Sequence, residues 1–218
     1  MAQRRFDDQE TPLSGTAMHK NHFAQWINDP DAPRTGIPIS EADFERLVSD
    51  ETEFRYELIG GLLYNMTGSS PEHADLAGQI ESSFRLQLGR SGPCRSYQEQ
   101  YVAIPGHTPL CPDVVITCAA SDRDKNKRSK PFRIQSPRLI VEILSPSTEK
   151  RDRGYKFAHY QTCPTLEVYM LASQYEPRIE VYRLANDWQQ EVFSAGQTIN
   201  LDQLNLKMHI DEIYEGVF

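Results

Sequence analysis

The chain has 218 residues, 39% of them hydrophobic, which fits one α/β or all-β domain or two small domains. Its 23 basic and 31 acidic residues give a formal net charge of −8. This balance excludes a uniformly basic nucleic-acid coat protein, because an acidic surface repels phosphate. No segment approaches the roughly 20 apolar residues needed to span a bilayer, which excludes an integral helical membrane protein.

The cysteines and the amino-terminal sequence favour a cytoplasmic protein. The first ten residues contain two arginines but are not followed by the apolar segment of a secretory signal. The four cysteines include no CxxC pair and no zinc-ligand spacing. We therefore interpret them as reduced thiols. They are Cys94, Cys111, Cys118 and Cys163.

Basic residues are concentrated in one part of the acidic chain. Between Asp122 and Lys156 there are 11 basic and 5 acidic residues, whereas the rest of the chain has 12 basic and 26 acidic residues. A solvated loop and a charged helix face would explain this run without any function. The functional alternative is a phosphate-facing patch. The candidate nucleic-acid-binding residues are Lys125, Lys127, Arg128 and Lys130.

The first part of the chain predicts an arm, a helix and a hairpin. Residues 1–38 are polar and contain three prolines near their end, which predicts a flexible arm before a single domain over 39–218. Ser40 and Asp43 form a capping-box pattern that predicts a helix over 41–49. Strand-forming residues surround Gly60-Gly61, which is typical of a β-hairpin.

Helices and apolar strands alternate through the remainder. Apolar residues recur every four positions over 72–90, which predicts an amphipathic helix. A second helix is predicted over 149–160. Strand-like segments are predicted at 94–104, 112–118, 138–144, 165–172, 178–184 and 188–193. This order predicts an α/β (or α+β) fold in which helices flank a central mixed sheet, with extra β-hairpins at both ends.

Three acidic residues fall in or beside apolar strands. They are Glu57 in YELIG, Asp113 before VVIT, and Glu142 within LIVEIL. Burying a carboxylate is costly unless it is paired or bound to a metal, so each residue is either a partnered structural acid or part of a site. Oxygen ligands favour a hard cation, Mg²⁺ or Mn²⁺, over zinc.

The helix over 149–160 adds polar residues at a spacing of four. Asp152, Lys156 and Tyr160 share one face, and Asp152 with Lys156 could be an ordinary surface ion pair. The alternative is that Lys156 points across the end of the sheet toward Asp113 and Glu142. His73, at the start of the long helix, is a weaker candidate, and a cap or a surface group is its simpler interpretation.

These motifs together resemble the Uma family of restriction endonucleases, which have the PD-(D/E)xK nuclease fold. The resemblance covers about residues 40–216 and leaves the arm unmatched. Gly60 stands where the family favours an acidic residue, and Leu144 stands where the parent (D/E)xK motif needs lysine. The matching segments are YELIGG, Pro71-Glu72-His73, PDVVIT, VEILSPST, and the series Asp152, Lys156 and Tyr160.

The resemblance implies a core of helix, three strands, helix and strand, with a metal site at its centre. Asp113 and Glu142 would bind Mg²⁺ together with the backbone carbonyl of Ile143. Lys156 would replace the missing motif lysine, and Glu57 would complete a second or water-mediated ligand set. The resemblance therefore implies a metal-dependent endonuclease acting on DNA.

Two other hypotheses stay open at this point. The fold could bind nucleic acid or a protein partner without cleavage, or the acidic body and the arm could mediate assembly. Cutting both strands usually requires two active sites, so an active enzyme is expected to be a homodimer.

Overall fold

A six-stranded mixed sheet forms the centre of the fold in the computed structural model, which describes residues 36–49, 55–66, 70–124, 126 and 131–218. The strands are β4 (Arg95–Gln98), β5 (Val114–Thr117), β6 (Pro137–Leu144), β7 (Val168–Ser173), β8 (Arg178–Arg183) and β9 (Gln190–Ser194). The order in the sheet is β4-β5-β6-β7-β8-β9. Neighbouring strands are antiparallel except β6 and β7, which are parallel.

The parallel pair requires a crossover connection, and a helix supplies it. This helix, here called α4, consists of Glu149–Arg151, the π-helical turn Asp152–Lys156, and Phe157–Tyr160. The other helices are α1 (Glu41–Ser49), α2 (Pro71–Leu88), α3 (Ala120–Arg123) and α5 (Ile210–Ile213). The order α2, β4, β5, β6, α4, β7 confirms the predicted nuclease-like core.

Apolar clusters cover both faces of the central sheet. One cluster joins α2, including Leu76 and Phe84, to the carboxyl-terminal hairpin β10 (Thr198–Leu201) and β11 (Leu206–His209). The other includes Ile140 and Leu144 of β6 and Tyr160 of α4. Side chains alternate along a strand, so Glu142, between Ile140 and Leu144, faces α4. This alternation places a carboxylate inside an apolar layer.

A small second sheet holds the residues before α2. Strands β1 (Ile37–Pro38), β3 (Leu62–Asn65) and β2 (Tyr56–Ile59) pair in that order. The predicted hairpin is confirmed, and both turn glycines have positive φ. Ile37 and Pro38, assigned from the sequence to the arm, belong to this sheet, whereas residues 1–35 lie outside the described residues.

The interpretation of all four cysteines as reduced thiols is wrong. Cys94 and Cys118 form a disulfide, and Cys111 and Cys163 are free and buried. The bonded residues flank the paired positions Arg95 and Thr117, so the register of β4 and β5 brings their sulfur atoms together. Spacing rules for metal sites and secreted scaffolds do not detect such a cross-strand pair.

Reduction of this disulfide is expected to lower the free energy of unfolding. The two cysteines are 24 residues apart, and closing a loop of that length in the unfolded chain corresponds to about 3 kcal/mol. Urea denaturation with and without reductant measures the difference, and Cys94→Ser/Cys118→Ser is the control that should not respond to reductant. Equal stability of oxidised and reduced protein would contradict the expectation.

Within the described ranges, no helix is both long and apolar enough to cross a membrane.

Candidate active site

Four acidic side chains and one lysine meet where α4 packs against strands β5 and β6 of the central sheet and against the hairpin β2–β3. Asp113 directly precedes β5, Glu142 lies in β6, and Glu57 lies in β2. Asp152 and Lys156 are the first and last residues of the π-helical turn of α4. Four of these five side chains are at most 4% exposed, and Asp113, at 21%, is the most accessible.

Lys156 is the centre of this cluster. Its Nζ lies 2.6 Å from Glu142 Oε1, 3.0 Å from Glu57 Oε1 and 3.8 Å from Asp152 Oδ1. Burial alone would lower the pKa of Lys156, but the surrounding carboxylates, Glu142 foremost, hold it well above its usual value. The ammonium is therefore charged and buried. Asp152 and Lys156 do form the i,i+4 ion pair considered as an alternative, but both side chains are buried, so it is not a surface pair, and Asp152 is the most distant of the three partners.

The π-helical turn was not predicted from the sequence. Its five residues, with Gly154 at the middle, interrupt what reads as an ordinary helix. The Tyr169 hydroxyl donates to the carbonyl of Asp152 at 2.9 Å and fixes the start of the turn from the sheet side. Turns of this kind occur mostly as single interruptions of α-helices, and they are frequent at functional sites. Here the turn presents both of its end residues, Asp152 and Lys156, to the buried carboxylates.

Asp113 is held beside Glu142 by a backbone contact. Its Oδ2 accepts a hydrogen bond of 2.6 Å from the N–H of Ile143, the residue after Glu142. The sequence predicted that Ile143 would contribute its backbone carbonyl to a metal site. The contact in the structure is made instead by its backbone N–H. His73 Nε2 lies 3.4 Å from the same Asp113 oxygen. Burial lowers the pKa of His73, but Asp113 raises it further, and the net shift is upward.

Burial raises the pKa of two carboxyls in the cluster, those of Glu142 and Asp152. Desolvation holds the pKa of Glu142 well above its usual value, although Lys156 acts in the opposite direction. The Tyr160 hydroxyl donates to Glu142 Oε1 at 2.9 Å. The pKa of Asp152 is raised to about 6, again by desolvation first. Desolvation is the largest cause of both shifts, and the neighbouring carboxyls act in the same direction.

The raised pKa of Asp152 predicts a pH-dependent stability. The folded state retains the proton between the ordinary pKa of 3.8 and about 6, so its stabilising contribution is present below pH 4 and is lost as pH rises to about 6. A shift of this size corresponds to about 3 kcal/mol. Asp152→Asn should remove this contribution from the pH profile of urea denaturation. A profile parallel to that of wild type would contradict the shift.

The residues present suit a hard divalent cation. The cluster has four carboxyls and one ammonium, and Glu57 Oε2 is buried without a hydrogen-bond partner among the described residues. No group of three His, Cys, Asp or Glu side chains in the described ranges is arranged to hold a metal ion. Mg²⁺ sites commonly use only one or two carboxylates, with water and substrate phosphate as the other ligands. Asp113 and Glu142 would be such a pair.

The structure thus brings together most of the residues singled out from the sequence. The four basic candidates, Lys125, Lys127, Arg128 and Lys130, lie outside the described residues. Two contacts were missed: the N–H of Cys111 donates to Glu57 Oε1 at 2.9 Å, and the Tyr169 hydroxyl binds Asp152. Neither has a sequence signal, because a backbone N–H is independent of residue type and Tyr169 reads as an ordinary strand residue.

Comparison with known proteins identifies the family of the chain. The sequence profile of the family described as "Uma2: Putative restriction endonuclease" matches residues 41–211. The chain belongs to the Uma2 family. An uncharacterized protein of Synechocystis sp. is 34% identical over 169 residues, which are 75% of this chain and 85% of that protein. A second uncharacterized Synechocystis protein is 26% identical over 157 residues, 69% of this chain and 84% of that protein.

A solved structure shows the same fold as this Uma2 protein. It is described as "a putative nuclease belonging to DUF820 from Anabaena variabilis", and it superposes with a TM-score of 0.67. The match covers 83% of this chain and all of the other, at 19% sequence identity. At that identity the likeness establishes the architecture alone, and the chemistry has to be argued from the residues of the site.

Proposed function

We propose that this protein is a metal-dependent endonuclease that hydrolyses phosphodiester bonds of DNA. The observation that carries the proposal is the position of Asp113 beside Glu142, with the charged ammonium of Lys156 at 2.6 Å from Glu142. Family membership supports the same activity. Acidic residues with a purely structural role would each be expected to have a basic partner. This cluster instead contains four carboxyls and a single buried ammonium.

Asp113 and Glu142 would hold Mg²⁺ or Mn²⁺, together with the Ile143 carbonyl. When bound, the ion would polarise the phosphate and lower the pKa of a bound water. Asp113 is the most exposed acid of the cluster and is therefore the side through which phosphate would enter. Lys156 would provide fixed positive charge beside Glu142 to offset the negative charge that develops on the phosphoryl oxygens. Tyr160 orients Glu142 through its hydrogen bond.

Cleavage of supercoiled plasmid with Mg²⁺, compared with EDTA, tests this function. The expected result is nicked or linear DNA with Mg²⁺ only, and Asp113→Asn is the matched inactive control. A linear product without a nicked intermediate would support the predicted homodimer. Intact plasmid under all metal conditions, despite measurable DNA binding, would instead support a nuclease fold that binds without cutting. That second candidate is favoured by one observation: among the residues that the structure describes, no group of three His, Cys, Asp or Glu side chains is arranged to hold a metal ion.

DNA contact by the four basic candidates gives a separate prediction. Changing Lys125, Lys127, Arg128 and Lys130 to Gln should weaken binding and flatten its salt dependence. The log–log slope should fall by about one for each phosphate contact removed. Fluorescence anisotropy across a salt series measures the slope. An unchanged slope would mean that these four residues are solvent-exposed charges that do not contact DNA.

A further inference from the structure

The Glu57 carboxylate connects the two halves of the site. Its Oε1 accepts from the N–H of Cys111 at 2.9 Å and lies 3.0 Å from Lys156 Nζ. Cys111 is two residues before Asp113, so one oxygen atom contacts both the segment that carries Asp113 and the lysine beside Glu142. The Glu57 side chain is completely buried. It is therefore out of direct reach of a large substrate.

The hairpin that carries Glu57 is fixed to the segment it contacts. The Tyr101 hydroxyl accepts from the N–H of Tyr56 at 3.0 Å and donates to its carbonyl at 2.8 Å. The Thr108 hydroxyl donates to the carbonyl of Leu58 at 3.3 Å. Backbone bonds on both sides of Glu57 therefore set its position. This arrangement is typical of a preorganised support and not of a mobile ligand.

Lys156 and a divalent cation would compete for Glu142. The ammonium lies against Glu142 Oε1, and a cation held by the same carboxyl would repel it. Glu57 offers a second carboxylate at almost the same distance, whereas Asp152 is 3.8 Å away. We propose that Glu57 is a positioning residue that retains the Lys156 ammonium when Glu142 binds metal, and that Glu57 is not itself a metal ligand. This inference rests on the proposed function.

A double-mutant cycle on Mn²⁺ affinity tests the assignment without requiring cleavage. Wild type, Glu57→Gln, Lys156→Met and the double variant are titrated with Mn²⁺. Glu57→Gln should weaken binding in the wild-type background, because Lys156 then depends on Glu142, and should weaken it far less when Lys156 is absent. The two effects should differ by at least about fivefold, as expected for contacting residues. Equal weakening in both backgrounds would identify Glu57 as a metal ligand and overturn the inference.

A second measurement applies if Lys156→Met does not fold. In protein labelled with ¹⁵N-lysine, the buried Lys156 ammonium signal should persist when Mg²⁺ is added to wild type. It should be lost to solvent exchange when Mg²⁺ is added to Glu57→Gln. Asp152→Asn is the matched control, since it removes a more distant carboxylate and should keep the signal. Persistence in Glu57→Gln would overturn the inference.

Failure of wild type to bind Mn²⁺ or Mg²⁺ would instead overturn the metal part of the proposed function, and the inference with it.

Discussion

Replacement of Lys156 with Ala is expected to lower the free energy of unfolding by about 3–5 kcal/mol, because it leaves the buried carboxyls of Glu142 and Glu57 without their counter-ion. Cleavage should fall at least about a hundredfold, since the lost charge acts in the transition state. Urea denaturation at pH 7 measures the first effect. Cleavage has to be assayed at a temperature at which the variant is folded.

A neighbouring lysine provides the control for this variant. Lys150 lies in the same helix α4 and is exposed, so Lys150→Ala should change stability by a few tenths of a kcal/mol at most. If Lys156→Ala loses no more than Lys150→Ala, the buried ion cluster is not maintained in solution. Normal cleavage by a folded Lys156→Ala protein would leave the carboxyls as the remaining support for the proposed site.

The difference between these two lysines shows how much the sequence alone could predict. The helical spacing predicted that Asp152, Lys156 and Tyr160 share one face, and this is confirmed. The spacing does not say whether that face is buried, and so a surface pair and a catalytic lysine were equally consistent with it. The choice depends on β6, whose alternation directs Glu142 toward α4.

Local patterns predicted the elements, whereas the missed features depend on contacts between distant segments. Glu142 was recognisable because a carboxylate within an apolar strand requires a partner. The contact of Glu57 with Cys111 spans 54 residues, and the disulfide depends on the register of two strands. The π-helical turn begins at Asp152, whose carbonyl accepts a hydrogen bond from the distant Tyr169. None of these has a local period or motif from which it could be read.

Removal of either proposed metal ligand is expected to abolish both metal binding and cleavage. Asp113→Asn keeps an oxygen that can accept from Ile143 N–H, and Glu142→Gln keeps one that can accept from Tyr160, so both variants should fold. Mn²⁺ binding should become undetectable by calorimetry, and cleavage should fall by several orders of magnitude. Glu176→Gln, in an exposed turn, is the control that should bind like wild type. A variant that keeps wild-type affinity would remove its residue from the proposed metal site.

Glu142→Gln should also separate the energetic role of this residue from its chemical role. Because burial raises the pKa of Glu142, its ionised form opposes folding, and the stability of wild type should decline as pH rises through that raised pKa. Gln mimics the neutral form, while Lys156 keeps Glu57 and Asp152 as partners. The variant should therefore be at least as stable as wild type at pH 8 although it is inactive. A marked loss of stability at pH 8 would mean that the Glu142–Lys156 attraction exceeds the cost of burying the charge, and would make Glu142 a structural partner of Lys156 before any metal binds.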